Sequence, residues 1–352
     1  MLVAYATLLF LLSVILIGIF QRLARKGNWL DVPNARSAHQ EPTPRGAGII
    51  FMGLWLVTVL LLSWRGFARL PEPYWCRLLL AIGLITLLGF WEDRTSLSIR
   101  FRLAAQTGIA LYALWVLGSP NVGLFNWSWA AWLLTLFALV WSVNLFNFMD
   151  GLDGFAGMEA IQILGIGGGL FALVGMWSMA LVAWSLGICV LGYLCWNWPR
   201  ATVFMGDSGS YSLGFVIALF ALLGDRWFEL PLGIWVILYA AFWFDASVTL
   251  IRRFLQGETW YQAHKSHAYQ RLHQAGWSPY KIMFSLFLLN IVLAGLAWGV
   301  FAFWIPFQTA LCLTLLILML VYVAIEKRFP MKKSQGSIET SSVVLQEQDK
   351  RV

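Results

Sequence analysis

Charge is scarce in this 352-residue chain: Asp, Glu, Lys and Arg together supply 12% of it, against 60% hydrophobic residues and a mean hydropathy of +0.73. No water-soluble domain could hide so much apolar surface, so lipid must act as the solvent. Cysteine is sparse too. Cys76, Cys189, Cys195 and Cys312 lie in or beside apolar runs without metal-ligand spacing, so neither a zinc site nor a disulfide framework is indicated. The apolar runs lack period-two alternation and exceed the roughly ten residues that an outer-membrane strand needs, which argues against a β-barrel. The first run, Leu2 to Phe20, lacks a basic leader and is followed by Arg22, Arg25 and Lys26, the wrong polarity for a cleaved signal. It reads as a retained helix. No internal repeat is evident, and no paired Gly/Pro-broken helices of the transporter kind appear.

What is present predicts an all-α, polytopic integral membrane protein. Apolar runs of roughly 15 to 23 residues fall at 2–20, 47–64, 77–91, 103–118, 130–148, 157–175, 177–196, 211–224, 231–250, 282–303 and 305–325, eleven in all. Basic residues accumulate on the cytoplasmic side of membranes. With a periplasmic N-terminus and a cytoplasmic C-terminus, only Arg65, Arg69, Arg77 and Arg226 of the 24 Lys and Arg fall outside. This surplus also accounts for the net charge of +7 without a nucleic-acid partner, and a basic rim suits anionic lipid headgroups. The transmembrane domain is expected over 1–326, followed by a polar, disordered tail over 327–352.

The same topology, drawn from basic residues alone, gathers Asp31, Glu92, Asp93, Asp150, Asp153 and Asp207 on the inner side, with Asp245 near that end of its span. Asn144, Asn147 and Asp150 are spaced by three and share a helix face, and Gly151 and Gly154 let Asp153 turn toward the same point. Such a set could hold a cation and orient a phosphate. Taken alone, Gly206-Asp207-Ser208-Gly209 is an ordinary turn. Placed opposite the other acids, it predicts a helix start capped by Ser208 or Ser210, with free N–H groups for an anion and Asp207 as a metal ligand. Adjacent Glu92 and Asp93 repel each other, so one of them needs a cation or a proton.

The 251–281 segment carries Arg252, Arg253, His264, His267 and Arg271, a basic loop able to grip nucleotide phosphates. Hard oxygen ligands elsewhere favour magnesium over zinc. The turn-rich first loop places Asp31, Arg36, His39 and Arg45 at a pocket mouth. Asp245 is expected to pair with a base such as Arg252.

These residues resemble the polyprenyl-phosphate N-acetylhexosamine-1-phosphate transferases of glycosyltransferase family 4. That group includes initiators of O-antigen, enterobacterial common antigen and teichoic acid synthesis, and phospho-N-acetylmuramoyl-pentapeptide transferase. The resemblance runs from about Gly27 to Gly276. It rests on Asp31-x-Pro-Asn-x-Arg36, Thr43-Pro-x-Gly-x-Gly48, Asn144-x-x-Asn147-x-x-Asp150-Gly-x-Asp153-Gly154, Phe204-Met-Gly-Asp207-x-Gly-Ser210 and a histidine-bearing fifth loop, in that order.

The resemblance implies transfer of an N-acetylhexosamine 1-phosphate from a UDP-sugar to undecaprenyl phosphate with Mg²⁺, or Mn²⁺ in its place. It implies Asp207 and Asp150 as metal ligands, Asp150 and Asp153 at the diphosphate, and Asp93, with Glu92 beside it, at the lipid phosphate. Asp31, Arg36, His39, Asn144, Asn147, His264, His267 and Arg271 are then substrate-binding. The usual paired aspartates are Glu92-Asp93 here, and His264-x-x-His267 departs from the triple histidine of the muramoyl-pentapeptide branch, closer to the O-antigen initiators. Oligomeric state is left open, a homodimer included. The rival class is a secondary transporter or lipid flippase, which would place acids at mid-membrane.

Overall fold

The computed structural model describes residues 2–33, 41–67, 74–118, 128–258 and 264–331. Its only β-structure among those residues is a short antiparallel pairing of β1 (Leu30–Asp31) with β2 (Thr43–Pro44) and an isolated bridge between Arg45 and Phe204. The rest of the regular structure is helical. The helices are α1 (Leu2–Lys26), α2 (Gly48–Trp64), α3 (Tyr74–Glu92), α4 (Ile99–Leu117), α5 (Ser128–Met149), α6 (Phe155–Leu173) and α7 (Trp177–Asn197). They continue with α8 (Gly206–Trp227), α9 (Leu232–Leu238), α10 (Ala240–Leu255), α11 (Ala268–Gln274), α12 (Pro279–Phe301) and α13 (Phe307–Arg328).

Each of the eleven predicted runs lies on a helix, but the span count differs. Among the described residues eight helices are long and apolar enough to cross a membrane, or nine if the bent pair α9 and α10 is one span. α2 is too short at 17 residues, and α4 carries Arg100 and Arg102 in its first turn. The ninth run breaks at Tyr239, where α9 and α10 meet at 71°. The tail predicted from residue 327 starts later, because α13 continues to Arg328 and the Met331 amide donates to Glu326 Oε1 at 3.2 Å; residues 332–352 lie outside the described ones.

α8 is the axis of the bundle. Within its apolar window 89% of residues are buried, against 22% in α1 and α13, which places those two at the periphery. The sequence explains this position: Gly206, Ser208, Gly209, Ser210, Ser212 and Gly214 surround the first turns of α8 with small side chains, so α2, α3 and α5 pack closely on different sides of it. Hydroxyls of these helices bond across the contacts, Ser142 donating to the Gly214 carbonyl at 2.7 Å and Thr86 pairing with Ser212 at 2.8 Å. One acid absent from the sequence reading lies inside a span. Glu159 of α6 is fully buried and accepts from Asn290 of α12, which also donates to Gln162.

The contacts at one end of the bundle fix the relative direction of the helices. Arg45 before α2 reaches Asp93 after α3, Arg102 of α4 reaches Glu92, and Ala201 after α7 donates to Asp153 before α6. The C-terminal ends of α3, α5 and α7 therefore meet the N-terminal starts of α2, α4, α6 and α8.

Backbone contact is closest where glycines face each other. A Cβ at Gly48 would lie 2.0 Å from the Gly209 nitrogen, and one at Gly89 would lie 2.4 Å from the Asp207 carbonyl oxygen. Gly48→Ala is expected to cost about 1–3 kcal/mol through overpacking, read as a lower thermal midpoint in detergent. Gly53→Ala in the same helix, where an added Cβ meets nothing within 4 Å, is the control and should hold or raise the midpoint. Equal midpoints for the two variants would contradict the α2–α8 contact.

Candidate active site

The site begins with backbone pairing. The Gly46 and Ala47 amides donate to the Phe204 carbonyl at 3.1 and 3.0 Å, Gly48 to Met205 at 2.9 Å, and Phe204 to Pro44 at 2.8 Å. Two sequence motifs some 160 residues apart are thereby zipped side by side, which carries Arg45 to the start of α8. The Arg45 guanidinium donates through Nε to Asp93 Oδ1 at 2.9 Å and through Nη2 to Asp207 Oδ1 at 2.6 Å. Its own pKa is held up first by Asp207 and then by Asp93 and Asp31, against desolvation. Asp31, paired with Thr43 in the β1–β2 ladder, thus enters the field of the site through Arg45.

Asp93 lies at the centre of this cluster with its side chain fully buried. It accepts from the Asp207 amide at 2.8 Å, the Ser208 amide at 3.1 Å and Ser208 Oγ at 2.8 Å. The first orphan N–H groups of α8 are therefore capped by a carboxylate from another helix, where the macrodipole also favours negative charge. The sequence expectation is corrected here. Ser208 and Ser210 do not cap α8, since Ser210 Oγ donates back to the Gly206 carbonyl, and the N–H groups of Asp207 and Ser208 are not free for an anion. Burial pushes the Asp93 carboxyl up to about 6, with Asp207 adding to the rise and Arg45 and the α8 amides opposing it.

Glu92 and Asp93 point apart. Glu92 ends α3 and meets Arg102 Nη1 at 3.5 Å, while its buried Oε2 has no partner among the described residues. Asn147, on the last turn of α5, donates to Asp207 Oδ1 at 2.9 Å and to Ser210 Oγ at 3.0 Å. Asn144, one turn earlier, donates instead to Gln106 Oε1 of α4 at 2.7 Å. Asp150 follows α5 directly. Its pKa lies well above the usual carboxylate range, through burial first and through Asp207, Asp93 and Asp153 besides, with Arg45 opposing. Asp153 accepts from the Ala201 amide at 3.0 Å, and Asn197 clamps the same loop by accepting from the Gly154 amide at 2.9 Å and donating to the Val203 carbonyl at 2.9 Å.

The fifth loop packs against this end, but its predicted phosphate grip is turned inward. His267 and Arg271 are buried, 2% and 5% exposed. Arg271 donates to Glu326 and to the Phe329 carbonyl, and Arg252 makes a two-pronged pair with the same Glu326 at 2.6 and 2.8 Å. Asp245 therefore does not pair with Arg252. It accepts from the Ala268 amide at 2.9 and 3.0 Å and from Thr249 Oγ1 at 3.0 Å, with His267 Nδ1 3.8 Å away. Burial, His267 and Arg253 lower the His264 pKa to about 3, so its imidazole is neutral near pH 7 and adds no cationic grip. Tyr269 stacks on Phe155, ring centroids 4.6 Å apart, and donates to the Phe148 carbonyl at 3.0 Å, which locks the loop onto the end of α5. Arg36 and His39 lie outside the described residues.

Among the described residues no three His, Cys, Asp or Glu side chains converge as a metal cage. The donor chemistry still suits Mg²⁺, which is ordinarily held by one or two carboxylates and completed by waters and substrate phosphates. Asp207 and Asp150 are the carboxylates available for that role. The sequence reading underweighted Arg45 and missed Gln106 and Asn197, each of which acts through a partner distant in sequence, and the Tyr269 ring of the fifth loop is spent on Phe155. For Arg45 a signal existed: it lies inside the Thr43–Gly48 motif.

The sequence pattern of glycosyl transferase family 4 matches residues 75–225, a stretch holding Asp93, Asn144, Asn147, Asp150, Asp153 and Asp207. The chain is 32% identical over 296 residues to a phospho-N-acetylmuramoyl-pentapeptide-transferase of Synechococcus sp. (strain JA-2-3B'a(2-13)), covering 74% of this chain and 81% of that protein. It is 28% identical over 313 residues, 82% of each chain, to a probable undecaprenyl-phosphate N-acetylglucosaminyl 1-phosphate transferase of Bacillus subtilis (strain 168). It is 25% identical over 306 residues to the undecaprenyl-phosphate alpha-N-acetylglucosaminyl 1-phosphate transferase of Escherichia coli (strain K12), covering 82% and 81%.

Arg271 separates a structural from a substrate-gripping fifth loop. Arg271→Gln removes charged hydrogen bonds worth about 1.5–3 kcal/mol each, so its expected effect is a lower thermal midpoint without any ligand present. An unchanged midpoint together with weaker nucleotide-sugar binding would return Arg271 to the substrate.

Proposed function

The chain belongs to glycosyl transferase family 4, and from that premise we propose that it transfers an N-acetylhexosamine 1-phosphate from a UDP-sugar to undecaprenyl phosphate. UMP leaves, and undecaprenyl-diphosphate-sugar remains, as the initiating step of O-antigen or a related surface polysaccharide. The enzyme works in the bacterial inner membrane with its site on the cytoplasmic face. The observation that carries this reading is the meeting of Asp93, Asn147, Asp150 and Asp207, from three distant stretches of sequence, around one guanidinium at one end of an apolar bundle. That placement suits an acceptor whose phosphate sits at headgroup level while its polyprenyl chain stays in lipid.

In-line attack on the donor's β-phosphate asks for charge neutralisation and positioning more than covalent chemistry. Mg²⁺, or Mn²⁺ in its place, would be held by Asp207 and Asp150 and would neutralise charge on the diphosphate. Asn147 fixes one oxygen of Asp207, and Gln106 fixes Asn144, so the polar face of α5 is oriented before substrate arrives. Arg45 lies within reach of the same carboxylate and brings a planar fork suited to phosphate oxygens. The acceptor needs little help with its proton, since a phosphate monoester's second pKa is about 6. Direct displacement is the preferred course, and trapping a covalent sugar-phosphate adduct on an aspartate would replace it by a two-step route.

Two observations bear on the alternatives. A transporter or flippase calls for acids at mid-membrane with a path to both faces, whereas the motif acids gather at one end, Asp225 lies in the last turn of α8 at the other, and Glu159 is fully buried against Asn290. The Synechococcus relative's name raises a muramoyl-pentapeptide nucleotide as donor, while His264-x-x-His267 favours the plain N-acetylhexosamine.

Purified protein given undecaprenyl phosphate, Mg²⁺ and a panel of UDP-N-acetylhexosamines and UDP-muramoyl-pentapeptide is expected to release UMP from the former only when lipid and metal are both present. Asp207→Asn should slow release by about a hundredfold or more with an unchanged thermal midpoint. Near-normal rates in that variant would remove Asp207 from the chemistry, and substrate uptake without UMP would select the transporter.

A further inference from the structure

We propose that Arg45 is the resident cation of the Asp93–Asp207 pair, and that a divalent ion must displace its guanidinium from Asp207 before that carboxylate can act as a ligand. The inference rests on the phosphotransfer reading for the identity of the ion, but its test does not require turnover.

The geometry is asymmetric in a way that permits the exchange. The Arg45 side chain is 35% exposed, whereas those of Asp93 and Asp207 are 0% and 8% exposed, so the guanidinium is the partner with room to leave. If Arg45 withdraws, Asp93 keeps the amides of Asp207 and Ser208 and the Ser208 hydroxyl, and remains a satisfied cap. Asp207 keeps, among the described residues, the neutral amide of Asn147 on Oδ1 and no charged donor. One carboxylate is thus held whatever Arg45 does, and the other is left with a buried charge that calls for a cation.

The guanidinium offsets one of the pair's two negative charges, whereas a divalent ion supplies two positive charges and also needs outside oxygens to complete its shell. A nucleotide diphosphate supplies those oxygens and, at the same time, accepts the displaced guanidinium as a bidentate partner. Metal and diphosphate should therefore bind together, each weakening Arg45's hold on Asp207. A purely structural Arg45 would leave metal affinity unchanged when removed and would only weaken the fold.

The test is Mn²⁺ binding to the full-length purified protein, followed through the paramagnetic resonance signal of free Mn²⁺ with no lipid acceptor present. Arg45→Gln is expected to bind Mn²⁺ alone at least about tenfold more tightly than wild type, a shift of about 1.4 kcal/mol. Arg45→Lys, which keeps a positive charge, should stay near wild type, and Asp207→Asn added to Arg45→Gln should erase the gain. In the unmodified protein, where folding is not at issue, UDP-N-acetylglucosamine should tighten Mn²⁺ binding by a similar factor. Mn²⁺ affinity that is unchanged or weaker in folded Arg45→Gln, or unaffected by the nucleotide sugar in wild type, would overturn the proposal. Gained metal affinity in a protein that releases no UMP once undecaprenyl phosphate and a UDP-N-acetylhexosamine are supplied would instead leave Arg45's role standing and remove the proposed reaction.

Discussion

The arrangement depends on one carboxylate. Asp93 is buried at the N-terminus of α8, where two backbone amides, a hydroxyl and a guanidinium all donate to it. A buried charge survives only when paired and hydrogen-bonded, and a helix start is stable only when its orphan N–H groups are met. Each requirement satisfies the other here. The close approach of α3 to α8 at Gly89 is what lets the residue four positions later reach over the helix end. Arg45 follows from the zipper between the Pro44–Gly48 and Phe204–Met205 backbones, which delivers its side chain to the same point.

Two other carboxylates repeat the device. Asp245 meets the start of α11 through the Ala268 amide, and Asp225 meets the start of α9 through the Leu232 amide at 2.9 Å. The starts of α8, α9 and α11 are thus met by acids that lie outside those helices. The consequence for the site is a division of labour among acids that look alike in sequence: Asp93 and Asp245 hold helices in place, while Asp207 accepts from the Arg45 and Asn147 side chains and burial favours the neutral form of Asp150. Asp150 is raised by burial and by its acidic neighbours, and Asp207 shares the Arg45 guanidinium with Asp93.

Hydropathy and basic-residue placement made much of this legible. All eleven runs became helices, and the motifs at 92–93, 144–154 and 204–210 lie at one end of the bundle as the charge distribution required. Boundaries failed where chemistry and periodicity diverge. α8 starts at Gly206, not near 211, because Asp207, Ser208 and Ser210 are polar enough to read as loop while an acid 114 residues away makes them a helix start. The inward turn of Arg271 was invisible for the same reason, since its partner Glu326 lies 55 residues on and nothing local announces it. Composition reports which residues are charged. It does not report which charges are already answered.

The test closest to this dependence is hydrogen exchange at the start of α8. In wild-type protein the Asp207 and Ser208 amides should exchange slowly, and Asp93→Ala should speed their exchange markedly while the middle of α8 remains protected. Unchanged protection of those two amides in the variant would mean that Asp93 does not hold the helix, and that the acid cluster is assembled by some other contact.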